Sequence, residues 1–244
     1  MKKIIVIMPV ANEESTMANI LDRILCLPYD NMFVYPVMDH YSTDSTESII
    51  DSYEVETNHR VHKVFYDEST GVASCYMKGY EEALKDNADY VIEMDAGGSH
   101  APEAIPKFIE MLEQGYECIW ESRFIDGGAD ENMPLYRKLL SRGGTILSNL
   151  VLQTQLRDMT SGFEAFHADI LRQFDFSQFL SKGHMFQTEM RFYCRHFKGI
   201  EIPIHYVGGG SSLKAKTVTR ALSILFKLKS NETKVRRTTN DLSD

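Results

Sequence analysis

Apolar residues along the chain fall into short unbroken runs, separated by stretches in which they recur every three or four positions. The runs are "KIIVIMPV" at 3–10, "MFVYPVMD" at 32–39, "HKVFYD" at 62–67, "DYVIEMD" at 89–95 and "YECIWESRF" at 116–124. Runs this short and this apolar read as strands covered on both faces. Between them, 14–27, 45–53, 73–86 and 102–114 carry helical periodicity. Strand–helix alternation with short connections predicts an α/β fold, a mostly parallel sheet with helices on both faces. The second half is patterned differently. A long helix is predicted over 133–156, a turn and a helix over 157–171, a helix over 182–197 and a strand over 199–207. A flexible glycine-rich loop at 208–214 and an amphipathic tail at 217–237 complete the pattern, and no internal repeat or low-complexity segment interrupts it.

The first, second, fourth and fifth strands end in polar residues: Asn12-Glu13, Asp39-His40, Asp95 and Ser122-Arg123. Open parallel sheets bind ligands at the carboxyl ends of their strands, so these four ends predict one crevice. Asp95 opens the segment "DAGGSHAPEAIP". A carboxylate in that place suits a metal or a phosphate-bearing ligand, but a hard-cation site usually recruits a second acid nearby, and two residues on stands Gly97. Asn12 and Glu13 have a plainer alternative as cap and first-turn acid of a helix.

Composition narrows the class. A chain of 244 residues can bury one large core. A net charge of −9 argues against a nucleic-acid partner. The charge is uneven, however: between Lys214 and Arg237 the eight cations Lys214, Lys216, Arg220, Lys227, Lys229, Lys234, Arg236 and Arg237 face the single acid Glu232. The tail is expected either to pack on the body or to lie on an anionic membrane, with disorder beyond about Asn231. Four scattered cysteines without a CxxC pair suit a reducing compartment. The start "MKKIIVIMPVANEE" has a short apolar run broken by Pro9, so it reads as a first strand and not as a signal peptide. No run approaches the roughly 18 apolar residues of a membrane span.

The motifs "PVANEE", "MDHYSTDST", "GVASCYMKGYEEA", "EMDAGGSHAPEAIP", "ESRF", "RKLLSRG", "DMTSGF" and "FQTEM" occur in the order and spacing of family 2 glycosyltransferases. The chain most resembles their dolichyl- and polyprenyl-phosphate mannosyl- and glucosyltransferase branch, over about 4–214. The resemblance implies a GT-A fold over 1–213, followed by a basic C-terminal segment, 214–244. It implies an inverting transfer of sugar from a nucleotide-sugar donor to a polyprenyl phosphate, in cell-envelope glycan synthesis, with Mg²⁺ or Mn²⁺. It places the protein in the cytoplasm, peripheral on the inner face of a membrane, held by the basic segment and by a possible membrane partner subunit. Nucleotide-sugar contacts fall on Pro9, Ala11, Asn12, Glu13, Met38, Asp39, His40, Asp95, Ala96, Gly97, Arg123 and Lys214. Catalytic roles fall on Asp95, Arg123, Arg137 and Ser141, with Asp95 as the metal ligand and Gln187 and Glu189 on the acceptor side. Arg137 and Ser141 are four apart, which a helix puts on one face, and arginine forks suit phosphate oxygens.

Several departures cluster on the donor side. His40 replaces the second acid after the second strand, Gly97 the second acid of Asp-x-Asp, and Gly208 a phosphate-contacting arginine; Glu164 stands where many relatives carry arginine. The acceptor side is kept, which implies an altered donor requirement or a weak metal dependence. Two alternatives stay open: a donor-altered or metal-weak binding subunit without turnover, and a family 2 transferase with a hydroxyl acceptor, for which Glu189 would be the base candidate. A nucleotidyltransferase on a related fold would need a glycine-rich basic loop after the first strand, which "PVANEE" lacks. His100, beside Asp95, is a further site candidate, whereas the remaining histidines show no ligand spacing.

Overall fold

A computed structural model describes residues 1–131, 133–183, 185–207 and 215–236, the first four of the last segment as backbone only. The first half alternates as the pattern predicts. Its elements are β1 (Ile4–Val10), α1 (Met17–Leu25), β2 (Met32–Asp39), α2 (Thr46–Glu56), β3 (Val64–Tyr66), α3 (Val72–Lys85), β4 (Tyr90–Glu93), α4 (Ile105–Glu113) and β5 (Cys118–Ser122). A strand apolar on both faces can only sit inside a sheet covered on both sides. β1 does so: Ile5 and Ile7 enter one core, while Ile4, Val6 and Met8 enter the other. The helices follow their spacing, as in α1, where Met17, Ile20, Leu21 and Ile24 form the buried stripe.

The second half contains β6 (Ala129–Glu131), α5 (Leu135–Leu152), β7 (Glu164–His167), α6 (Ala168–Leu171), α7 (Phe186–Tyr193), β8 (Gly199–Pro203), β9 (His205–Val207) and α8 (Ala215–Val235). Two sequence expectations are corrected here. The segment read as a turn and a helix contains β7, which pairs antiparallel with both β4 and β5. The strand read across 199–207 divides at Ile204 into β8, paired with β5, and β9, paired with β6 in a separate small sheet. The main sheet runs β3-β2-β1-β4-β7-β5-β8, with only β7 reversed.

That reversal matters for the site. An antiparallel strand begins at the edge where its neighbours end, so the residues leading into β7 arrive beside the carboxyl ends of β4 and β5. The small sheet reaches the same edge through a close approach at Gly128, where a Cβ would stand 2.6 Å from the Ser122 carbonyl oxygen.

The tail packs on the body. Leu225, Leu228 and Val235 of α8 join the core with α3 and α7. Order also persists past Asn231, where disorder was expected. Asn231 donates to the Gln178 carbonyl (2.7 Å), Glu232 pairs with Arg195 (2.7 Å) and the Val235 carbonyl accepts from Asp175 N–H (2.7 Å). Among the described residues no helix is long and apolar enough to cross a membrane.

Candidate active site

The loop after β1 is pinned against the loop after β2. Asn12 takes a left-handed conformation (φ 56°), and its side-chain oxygen accepts from Thr43 N–H (2.9 Å). Glu13 N–H donates to the Thr46 hydroxyl (2.8 Å). Neither residue caps a helix, because α1 starts four residues beyond Glu13 with Thr16 in the cap position. Pro9 and Ala11 flank this turn, half-buried. Met38 and Asp39 close β2, both buried, with Asp39 Oδ1 accepting from Tyr41 N–H (3.1 Å). His40 lies across Asp39 and Ser69 (3.5 and 3.4 Å) and packs on the Tyr41 ring with centroids 3.9 Å apart. A ring pair with neighbouring hydroxyls is a surface on which a nucleobase can stack.

The segment after β4 is the electrostatic centre. Asp95 folds it into a tight turn, with Oδ1 accepting from the N–H groups of Gly97 (3.0 Å) and Ser99 (3.3 Å). Its other oxygen lies 3.0 Å from Nδ1 of the buried His100, whose Nε2 is 3.2 Å from Glu121. Burial opposes charge on His100, but Asp95 and then Glu121 outweigh it, so its pKa is raised well above the usual imidazole range. Asp95 responds in the opposite sense: burial would raise it, but His100 and the two N–H donors hold it below the usual carboxylate range. About a third of the Asp95 side chain stays exposed, at 33%, so a ligand can reach it. Ala96 is buried, and its carbonyl accepts from the Thr16 hydroxyl (2.8 Å), which ties this turn to the loop after β1.

Arg123 follows β5. Its Nε and Nη2 grip Asp158 at 2.7 and 2.9 Å, and Nη2 also donates to Thr160 (2.6 Å). Asp158 and Thr160 lie in the segment that β7's reversal delivers. The Tyr206 ring of β9 sits near both Arg123 (5.5 Å) and His100 (5.8 Å), so one aromatic residue joins the two halves of the site. Arg142 and Arg123 both lie over the Phe124 ring, at 5.2 and 5.1 Å, which brings the first turns of α5 alongside.

The fold thus gathers Asn12, Glu13, Asp39, His40, Asp95 and Arg123 at one sheet edge. Arg137 and Ser141 lie on α5, both half-buried. Glu189 is buried, and its oxygens accept from the N–H groups of Leu180 (2.9 Å) and Ser181 (2.8 Å), which binds it to the backbone. Gln187 lies against Gly162, where a Cβ would stand 3.4 Å from its amide nitrogen. Lys214, Gly208 and the rest of the glycine-rich loop lie outside the described residues. Glu164, the charge-reversed position, is fully buried against Arg191 (2.6 Å). Its pKa is raised to about 7 by burial, despite Arg191.

Sequence reasoning gave no role to Asp158, Glu121 or Tyr206. Asp158 was visible only as part of "DMTSGF", and Tyr206 carried no signal. Among the described residues no group of three or more histidine, cysteine or acidic side chains is placed to hold a metal ion. A cavity of about 670 Å³ lies beside the ends of α5 and α7 and against α8, lined by Trp120, Gln153, Arg191, Arg195, His196 and Lys229, and includes none of the strand-end loops.

Residues 5–174 match the family model for glycosyl transferase family 2. The chain is 28% identical over 227 residues to a polyprenol monophosphomannose synthase of Mycolicibacterium smegmatis, covering 91% of this chain and 84% of that protein. It is 31% identical over 208 residues to an undecaprenyl-phosphate mannosyltransferase of Micrococcus luteus, covering 84% of each. Among solved structures, glucosyl-3-phosphoglycerate synthase from Mycobacterium tuberculosis, in complex with Mn²⁺, UDP and glucosyl-3-phosphoglycerate, superposes with a TM-score of 0.68 at 14% identity. That superposition covers 98% of this chain and 82% of the other, and it establishes the GT-A-like fold.

Proposed function

Since the chain belongs to glycosyl transferase family 2 and is a glycosyltransferase, we propose that it moves a sugar, with inversion, from a nucleotide-sugar donor to a polyprenyl phosphate at a membrane surface. The observation that carries this reading is the joining of the Asp95 turn to Arg123 through His100 and Tyr206 at the carboxyl edge of the sheet. The curated relatives act on polyprenyl-type phosphates, and the superposed synthase binds UDP with Mn²⁺.

In the reaction, a phosphate oxygen of the acceptor attacks the anomeric carbon from the face opposite the leaving group. The bond to the donor diphosphate breaks, and its electron pair leaves with the diphosphate. A phosphate monoester has a second pKa of about 6, so at neutral pH it attacks without a general base. The binding of Glu189 to two backbone N–H groups supports a phosphate acceptor over a hydroxyl, because a hydroxyl needs a base. Asp39, His40 and the Asn12 turn hold the nucleoside end. Asp95 would hold a divalent cation, which when bound supplies positive charge for the departing diphosphate. Arg123, oriented by Asp158, and the α5 pair Arg137 and Ser141 set the acceptor phosphate in line.

Membrane association is supported by an outward apolar face. Leu135, Leu139, Ile146 and Leu150 share one exposed side of α5, and Phe226 is exposed on the neighbouring α8, 66% accessible. Lys227 and Lys229 are exposed on the same helix. The test is transfer itself. Purified protein is incubated with undecaprenyl or dolichyl phosphate in detergent, Mg²⁺ or Mn²⁺, and GDP-mannose, UDP-glucose or GDP-glucose, and lipid product is read by mass spectrometry. A lipid phosphate sugar from one donor is expected. Thermal stabilisation by a nucleotide sugar, with no transfer to either lipid, would replace this reading with that of a binding subunit.

A further inference from the structure

The Asp95-Ala96-Gly97 turn has one acid where a hard cation bound to a diphosphate is usually held by two. The structure accounts for the missing one. A Cβ built on Gly97 would stand 3.6 Å from Glu13 Oε1, 3.7 Å from Asp95 Oδ1 and 3.9 Å from Glu13 Oε2. The space into which an acidic side chain at 97 would grow is therefore already edged by carboxylate oxygens from two elements. Gly97 itself is exposed, so the space opens to ligand.

Glu13 is held there and has not merely drifted in. Its N–H is tied to Thr46 (2.8 Å), and Thr16 lies within hydrogen-bonding distance of Glu13 Oε2 (3.1 Å) and of the Ala96 carbonyl (2.8 Å). The single hydroxyl hydrogen of Thr16 goes either to the Ala96 carbonyl or to Glu13 Oε2, and in both cases Thr16 sits between the Glu13 carboxylate and the Asp95 turn. Oε1 is engaged by no hydrogen bond among the described residues, so it remains available. His100 pairs with Asp95 and Glu121 and not with Glu13.

We propose that Glu13 supplies the second carboxylate of a divalent-cation site with Asp95, in place of the acid absent at position 97. The set suits Mg²⁺ or Mn²⁺, which accept one or two carboxylates and complete their shell with substrate phosphates and water. The inference rests on the donor-site reading above and gives Glu13 a direct role beyond contact with the nucleotide.

The experiment measures Mn²⁺ binding by electron paramagnetic resonance on the full chain, with Mn²⁺ alone and with GDP or UDP added. The proteins are wild type, Glu13→Gln, Asp95→Asn and the double variant Glu13→Gln/Gly97→Asp. Glutamine preserves the size of the side chain and an acceptor for Thr16, and circular dichroism verifies the fold. Glu13→Gln is expected to weaken Mn²⁺ binding by at least about tenfold, since affinity follows ligand charge, and Gly97→Asp to recover most of that loss. Glu13→Gln binding Mn²⁺ as wild type does would overturn the proposal, as would failure of Gly97→Asp to recover it. Wild type that binds no Mn²⁺ with either nucleotide would also overturn it. In that last case, thermal stabilisation by GDP or UDP in EDTA would leave the donor-site reading standing, and its absence would remove that reading too.

Discussion

His100 lies between two acids, Asp95 from its own loop after β4 and Glu121 from β5. The sign of the resulting pH dependence can be worked out. His100 has a raised folded-state pKa, so its contribution is full below about pH 6.5, the ordinary imidazole value, and is lost as pH rises through the raised value. Asp95 has a lowered one, so its contribution holds above about pH 4 and is lost as pH falls through the lowered value. His100→Gln is therefore expected to cost most stability between about pH 4.5 and 6.5 and progressively less above it. Urea unfolding across that range decides the matter, and a gap that widens with rising pH would refute the charged-bridge account. At this scale the acid Asp95 was legible because it ends an apolar run. Its partner Glu121 was not, because a glutamate inside "CIWES" reads as part of a strand until the fold turns its side chain toward His100.

Elements differ in how far local pattern defines them. β1, β2 and α1 are apolar at the right period over enough residues to specify themselves. β7 is four residues long, "EAFH", and its character comes from the two neighbours between which it is inserted. Its period was too short to distinguish from a turn running into a helix. α8 is the opposite case: its amphipathic pattern was plain, yet the pattern fits a protein core and a membrane surface equally well. The structure separates its faces, with Leu228 fully buried and Phe226 exposed. Leu228→Ala is expected to cost about 2–5 kcal/mol through the cavity it leaves. Phe226→Ala should stay within about 0.5 kcal/mol in the same urea titrations. Equal costs would mean that α8 does not dock on the body in this register.

The whole molecule has a net charge of −9, and its acidic body carries an apolar α5 face beside the cationic α8. Like charge should repel most of the surface from an anionic bilayer and leave this face to engage it. Leu139→Gln/Leu150→Gln is expected to reduce co-sedimentation with phosphatidylglycerol vesicles several-fold while leaving unfolding in urea nearly unchanged. Raising the salt should weaken binding of the wild type, because surface charge attraction is screened within about 8 Å at physiological ionic strength. Binding that the double variant retains in full would shift the contact to another surface. By itself the sequence determined the parallel core and the four polar strand ends, because burial on both faces and the period of each element are local properties of the chain. It also exposed the gap at Gly97. What filled that gap was decided only by the tertiary structure. Glu13 lies more than eighty residues from Gly97, and only the packing of β1 beside β4 brings its carboxylate to the empty place. The same holds for Asp158 at Arg123, which arrives there because one short strand runs backwards.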